Sequence, residues 1–171
     1  MIHTEHRHQP LDIGGTRIKS MICEIIDSPA LPDDLQGNIV IAGYFAHLVD
    51  RLKITTDGSG HKGELLDPLW RTDHQSFRPV DVQTGPDGAL YVADWYNPII
   101  GHYQASLRHP DRDKKHGRIW RITAKGKKTV ERPQYDGMPT RNLLDALRTA
   151  PLKERERLRM ILSNRYRDPE G

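Results

Sequence analysis

The chain has 171 residues, 36% of them hydrophobic and 29% charged, with a formal net charge of +3, which suits one small, turn-rich domain with an appendage and excludes a large multidomain machine. Cys23 is the only cysteine, so within this chain there is no internal disulfide, CxxC redox pair, multi-cysteine zinc site or CxxCH haem attachment. The positive excess is C-terminal: residues 140–171 hold 8 Lys or Arg against 5 Asp or Glu, while residues 1–139 hold 18 of each. No basic stripe remains to track phosphates, and nucleic acid is not expected as a partner.

Residues 1–9, with His3, His6 and His8, read as a flexible N-terminus, a weak metal site being the alternative. The stretch IHTEHRHQP after Met1 lacks the apolar centre of an export signal. The longest apolar run, residues 38–49, is shorter than the ~20 residues of a membrane helix, so no span is expected.

Self-comparison organises the rest of the chain. The run from Gln36 to Phe45 aligns without a gap on the run from Asp87 to Tyr96, 51 positions later, and the run from Leu52 to Gly58 aligns on that from Trp120 to Gly126, 68 positions later. The second copy therefore carries 17 extra residues, placed at 98–114. Both copies are short Ile-, Val-, Tyr- and Trp-rich runs punctuated by Gly, Pro and Asp, the signature of strands and tight turns. Strands are predicted at 21–26, 39–44, 49–55 and 64–70 in the first copy and at 79–84, 90–95, 118–123 and 128–132 in the second. The fold class expected is mainly β, with about two four-stranded antiparallel blades of a β-propeller. The blades span residues 10–75 and 76–133. Leu143, Leu144 and Leu147, then Leu158, Ile161 and Leu162, give two helical stripes separated by Pro151. Residues 134–171 thus read as an αα-hairpin with an Arg-rich solvated face.

The segments FRPVD, GPDGALYVADWYNPIIGH and HGRIWRIT, within residues 76–123, together with LPDDLQGNIVIAGYF at 31–45 and IGGTR at 13–17, resemble the propeller of the PVC-type haem-binding, membrane-bound dehydrogenases, relatives of glucose/sorbosone dehydrogenase and NHL-like propellers. The resemblance covers roughly residues 10–170. It implies a six- or seven-bladed parent that continues into HEAT-like helices, here begun by the hairpin, and then a cytochrome c-like module. It implies a periplasmic or membrane-associated parent oxidising a sugar or polyol hydroxyl, with a quinone or haem c as electron acceptor. A small carbohydrate or polyol would be its ligand, and remaining blades or a second copy its neighbours. The alternative is a non-catalytic module that binds glycans or protein partners through the same face.

The insertion is the strongest functional pointer, because long loops on rigid β scaffolds are uncommon unless they bind or catalyse. The resemblance places this loop on the funnel face of a propeller. His102, Asp94 and Asp81 are the candidate acid/base residues, and Arg108, Arg112, His116 and Arg118 the candidate cofactor- or substrate-binding residues. The competing reading has Arg108, Asp111, Arg112 and Asp113 pairing to hold the loop, and Asp81 and Asp94 bonding nearby backbone amides. Asp111-Arg112-Asp113 lacks the further oxygen ligands of a calcium loop, and no metal is expected. Trp95, Tyr96, Trp120 and Tyr91 read as blade core, with Trp95 or Tyr96 able to stack on a sugar ring.

Overall fold

The structure, a computed structural model, describes residues 21–100, 106 and 108–167. The first sheet is built from β1 (Cys23–Ile25), β2 (Ile39–Gly43), β3 (Leu48–Asp57), β4 (Gly60–Leu65) and β5 (Trp70–Arg71). The order is β1-β2-β3-β4, with β5 also on β3, and every pairing is antiparallel. The second sheet is β6 (Pro79–Thr84), β7 (Leu90–Asp94) and β8 (Arg118–Ile122), in that order and antiparallel. Two helices follow, α1 (Thr140–Thr149) and α2 (Leu152–Arg167). The chain is therefore a partial propeller-like β fold with a C-terminal helical hairpin. Among the described residues no helix is long and apolar enough to cross a membrane.

Two strand expectations need correction. The run predicted at 64–70 is divided: β4 pairs with Leu52–Asp57 and β5 with Leu48 and Val49, both on the same edge of β3. Asp67-Pro68 separates them, since proline has no N–H for the ladder. The first sheet thus keeps four strand positions, the last one broken. The fourth strand predicted at 128–132 does not form, so the second sheet has three strands. Instead Val130 N–H donates to the Asp87 carbonyl at 3.0 Å, and the Lys127 ammonium reaches the Leu31 carbonyl at 2.9 Å and Asp33 at 2.7 Å. Charged residues and Pro133 leave this segment little to pair with, and it runs toward the hairpin.

Alternation along each strand sends Val40, Ala42 and Val49 from the first sheet and Val82, Leu90 and Val92 from the second into one core with Ile26, Leu31, Leu35 and Phe77. Trp70 packs on Phe77 and edge-on to Trp120, with centroids 4.4 and 4.9 Å apart. Burial of each such side chain contributes roughly 1.5–3 kcal/mol. The turn from β6 to β7 is pressed against the first sheet: Ser28 Oγ donates to the Gly88 carbonyl at 2.7 Å. Gly88 has φ +76°, and a Cβ there would lie 2.7 Å from Ser28 Oγ and 2.8 Å from the Ala30 methyl. No other residue type fits without a shift.

The helices form a second, separate core around Tyr135, Leu143, Ala150 and Leu158. Polar contacts dock it on the blades. Asp27 accepts the Leu152 N–H at 2.7 Å, capping the start of α2 from outside the helix, and Lys153 pairs with buried Glu24 at 3.0 Å.

At the opposite end of the strands Arg78, 5% exposed, clasps the two sheets. Its guanidinium donates to the carbonyls of Asn97 (2.9 Å), Tyr44 (3.0 Å) and Pro98 (3.1 Å) and to His47 Nε2 (2.9 Å). His47 Nδ1 donates to the Phe77 carbonyl at 3.0 Å, the one tautomer that serves both contacts. Burial, then the Arg78 charge, push the His47 pKa down, which keeps the ring a neutral acceptor. Replacing Arg78 by Met strands three carbonyls, and the expected loss is on the order of 3 kcal/mol. A lowered urea midpoint for the β-sheet signal is the check; an unchanged midpoint would show that the clasp is dispensable.

Candidate functional site

The candidate site is built where β7 ends. Asp94, 3% exposed, places its carboxylate at the meeting point of four donors. Oδ1 accepts the Arg78 N–H at 2.8 Å and the Tyr96 N–H at 2.9 Å; Oδ2 accepts Arg118 Nε at 2.8 Å and Trp120 Nε1 at 3.1 Å. Burial alone would push this carboxyl up. The N–H groups of Arg78, Trp120 and Tyr96 and the Arg118 guanidinium together outweigh it and hold the pKa below the ordinary carboxylate value. Asp94 is ionised and fully occupied, which suits an anchor and not a free base.

Beyond Asp94 the chain turns through Tyr96, whose φ of 53° lies in the left-handed region that side chains disfavour. Asn97 follows, 2% exposed, its Oδ1 accepting the Ile99 N–H at 3.1 Å and its amide donating to the Asp113 carbonyl at 3.4 Å. One buried side chain thus joins the outgoing and returning ends of the insertion. Arg112 staples the same loop, donating from Nε to the Ser106 carbonyl at 2.8 Å and from Nη1 to the Ile99 carbonyl at 3.2 Å.

The returning chain forms an acid–imidazole pair. Asp113 Oδ1 accepts the N–H groups of Lys115 (2.9 Å) and His116 (2.8 Å), while Oδ2 meets His116 Nδ1 at 2.7 Å. The Lys115 N–H, the His116 ring and the His116 N–H lower the Asp113 carboxyl to about 2. An ionised carboxylate only accepts, so Nδ1 carries the hydrogen and Nε2 keeps its lone pair. Tyr96, Asp113, His116, Gly117 and Arg118 line a cleft of ≈ 290 Å³. Among these the Arg118 guanidinium is stacked 4.2 Å from the Tyr96 ring centroid and 4.9 Å from that of Trp120. His74 and His116 flank Tyr96, with ring centroids 5.7 and 6.0 Å from it.

Of the residues read from sequence, Asp94, His116 and Arg118 converge here. Arg112 is a backbone staple of the loop. Arg108 is exposed on the loop turn, its N–H bonded to Ser106 Oγ at 3.1 Å, and Asp113 turns to His116 and not to Arg108. Asp81 is separated from Asp94. A bulge between Pro79 and Asp81 shifts the register so that Asp81 faces Ala93, on the opposite side of the sheet from Asp94, where it accepts a hydrogen bond from Gln83 at 3.2 Å. The proposed cluster of Asp81 with Asp94 is therefore not formed. His102 lies outside the described residues. Sequence reasoning missed His74, Arg78 and Asn97; the only signal for Arg78 was its place inside FRPVD.

The donor set bears on the two acceptors that the family resemblance implies. A c-type haem needs two cysteines and an adjacent histidine, and Cys23 stands alone on β1. Of the cations read as cofactor ligands, Arg118 is paired with Asp94, and Arg112 donates to loop carbonyls. The described residues do not fit a covalently attached haem. Among the described residues no three His, Cys, Asp or Glu side chains converge as metal ligands.

Residues 15–126, more than half of the chain, match DUF7133, a domain of unknown function. No curated protein and no solved structure matches the chain.

The Asp113 pair carries a pH signature. A carboxyl lowered in the folded state contributes stability that is complete above the ordinary value of 3.8 and is lost as pH falls toward about 2. Carboxyl-detected NMR of Asp113 is expected to give a midpoint near about 2, with the His116 N–H signal moving in step. A midpoint at the ordinary value would show that the pair does not hold in solution.

Proposed function

Starting from the DUF7133 family, to which this chain belongs by that match, we propose that the cleft beside Tyr96 binds a sugar or polyol and that His116 takes the proton of a bound hydroxyl. The observation that carries this reading is the 2.7 Å contact between His116 Nδ1 and Asp113 at the cleft wall. It leaves Nε2 as the basic atom, with no partner among the described residues. A carboxylate behind Nδ1 fixes the tautomer and stabilises the imidazolium formed when Nε2 takes a proton.

The remaining groups suit a neutral polyhydroxylated ligand. Arg118 and His116 are each balanced by a carboxylate, so the cleft offers hydrogen-bonding atoms without a strong net field. Tyr96 supplies an aromatic edge beside them. In the parent activity, oxidation of a hydroxyl, the proton would pass to His116 and the hydride to an acceptor outside this residue set, so the part of this chain ends at the proton. That misfit favours a second reading, in which the cleft holds a glycan without turnover. The outer faces of the two sheets are expected to meet further blades or a second copy, since Ile25 and Ile119 stand 47% and 77% exposed on them.

NMR titration with glucose and with sorbitol is expected to move Tyr96, His116 and Arg118 signals saturably, and a two-electron acceptor dye should be reduced when sugar is added. His116→Gln should cut that reduction by about 100-fold or more, the scale of a lost general base. Saturable binding with no dye reduction would establish the non-catalytic reading, and no binding would overturn both.

A further inference from the structure

His47 stands at the centre of the clasp between the two sheets, half-buried in the turn from β2 to β3. Arg78 Nη1 lies 2.9 Å from its Nε2 and 3.2 Å from its Nδ1, and Nδ1 meets the Phe77 carbonyl at 3.0 Å. A neutral ring fits this setting, because one of its nitrogens remains an acceptor toward the guanidinium. A second ring proton would set an imidazolium against Arg78, with like charges in contact and no acceptor left on the ring. Nothing in the surroundings offsets that charge. The backbone of Phe77 and of His74 favours the charged ring, but burial, Arg78 and the His74 side chain outweigh it. Asp94 acts on Arg78 and not on His47, and its oxygens are already taken by four donors. Among the described residues no carboxylate contacts His47.

The same guanidinium closes the root of the insertion. Its Nε donates to the Asn97 carbonyl at 2.9 Å and its Nη2 to the Pro98 carbonyl at 3.1 Å, directly after the Tyr96 turn. The Asn97 amide reaches the returning end of the insertion at the Asp113 carbonyl, and Asp113 orients His116. We infer that His47 is an acid-sensitive latch: its protonation displaces Arg78 and frees the Asn97–Pro98 root of the insertion, so that the join between the sheets and the frame of the cleft loosen together. The latch acts on the frame and is independent of the ligand that the cleft takes. Its sign follows from the neutral ring. With the folded value held below the ordinary 6.5, the stability that the clasp contributes is complete above 6.5 and declines below it, until the folded ring itself takes the proton.

The test compares the native chain with His47→Gln from about pH 7.5 to about 4.5, across the imidazole range. His47→Gln keeps an acceptor for Arg78 and a donor for the Phe77 carbonyl and takes up no proton. His74 and His116 titrate in both proteins and drop out of the comparison. In urea, the unfolding constant of the native chain should rise relative to that of His47→Gln by up to about tenfold per pH unit below 6.5. By NMR, the Asn97 and Ile99 N–H signals of the native chain should follow the midpoint of the His47 ring, and in His47→Gln that movement should be absent. A His47 midpoint at or above 6.5, or Asn97 and Ile99 signals that do not follow it, would overturn the latch. Both are read on the native chain alone, so the test stands even where His47→Gln fails to fold. The same pH dependence of unfolding in the two proteins would overturn it as well.

Discussion

The buried carboxylate of Asp94 is the constraint on which the rest of the site depends. It lies at the end of a central strand, where four donors from the residue preceding β6, the Tyr96 turn and β8 converge on two oxygens. Charge-assisted hydrogen bonds of this kind are shorter and stronger than neutral ones. They offset two costs that the site would otherwise not sustain. One is removal of the carboxylate and the Arg118 guanidinium from water. The other is the left-handed backbone of Tyr96, of order 1–3 kcal/mol for a residue that bears a side chain. The carboxylate that anchors the strand end thus also aims the Tyr96 ring and the Arg118 guanidinium that form the cleft.

Two buried cations extend this organisation outward. Arg78 uses carbonyls and not a carboxylate as its partners, and so joins the β2–β3 turn of the first sheet to the start of the insertion in the second. Arg112 likewise donates to two carbonyls within the insertion, those of Ser106 and Ile99. The loop is held by backbone carbonyls and by Asn97, which leaves Asp113 available to His116. The internal repeat sharpens the contrast. The position of Asp94 in the second copy is occupied by Gly43 in the first, and there the chain turns directly through His47 into β3 without an insertion. The cleft therefore arises where the two copies differ, on a framework that they share.

Much of that framework was legible in the sequence. Period-two alternation and the GPDG turn locate β6, β7 and β8 to within a residue or so, because one face of each strand must meet the core. Leu143, Leu147, Leu158 and Ile161 locate the hairpin for the same reason at helical spacing. Charged segments carry no such constraint, and the run at 128–132 was misread because its two β-forming residues are outweighed by what surrounds them. The site was partly legible. His116 and Arg118 stand out by residue type beside a long insertion, but the place of Asp81 depends on a one-residue bulge that no periodicity announces. His74 reaches Tyr96 only through tertiary packing between segments distant in sequence.

The most direct measurement of this account is the effect of Asp94→Asn, an isosteric change that removes the charge and leaves one acceptor for four donors. The loss of stability expected in denaturant unfolding is about 3 kcal/mol or more, the scale of a broken buried ion pair. The Tyr96, Arg118 and Trp120 resonances should shift together, while those of the helical core around Leu143 and Leu158 stay in place. A variant with native stability and unmoved Tyr96 and Arg118 signals would contradict the claim that this one carboxylate organises the site.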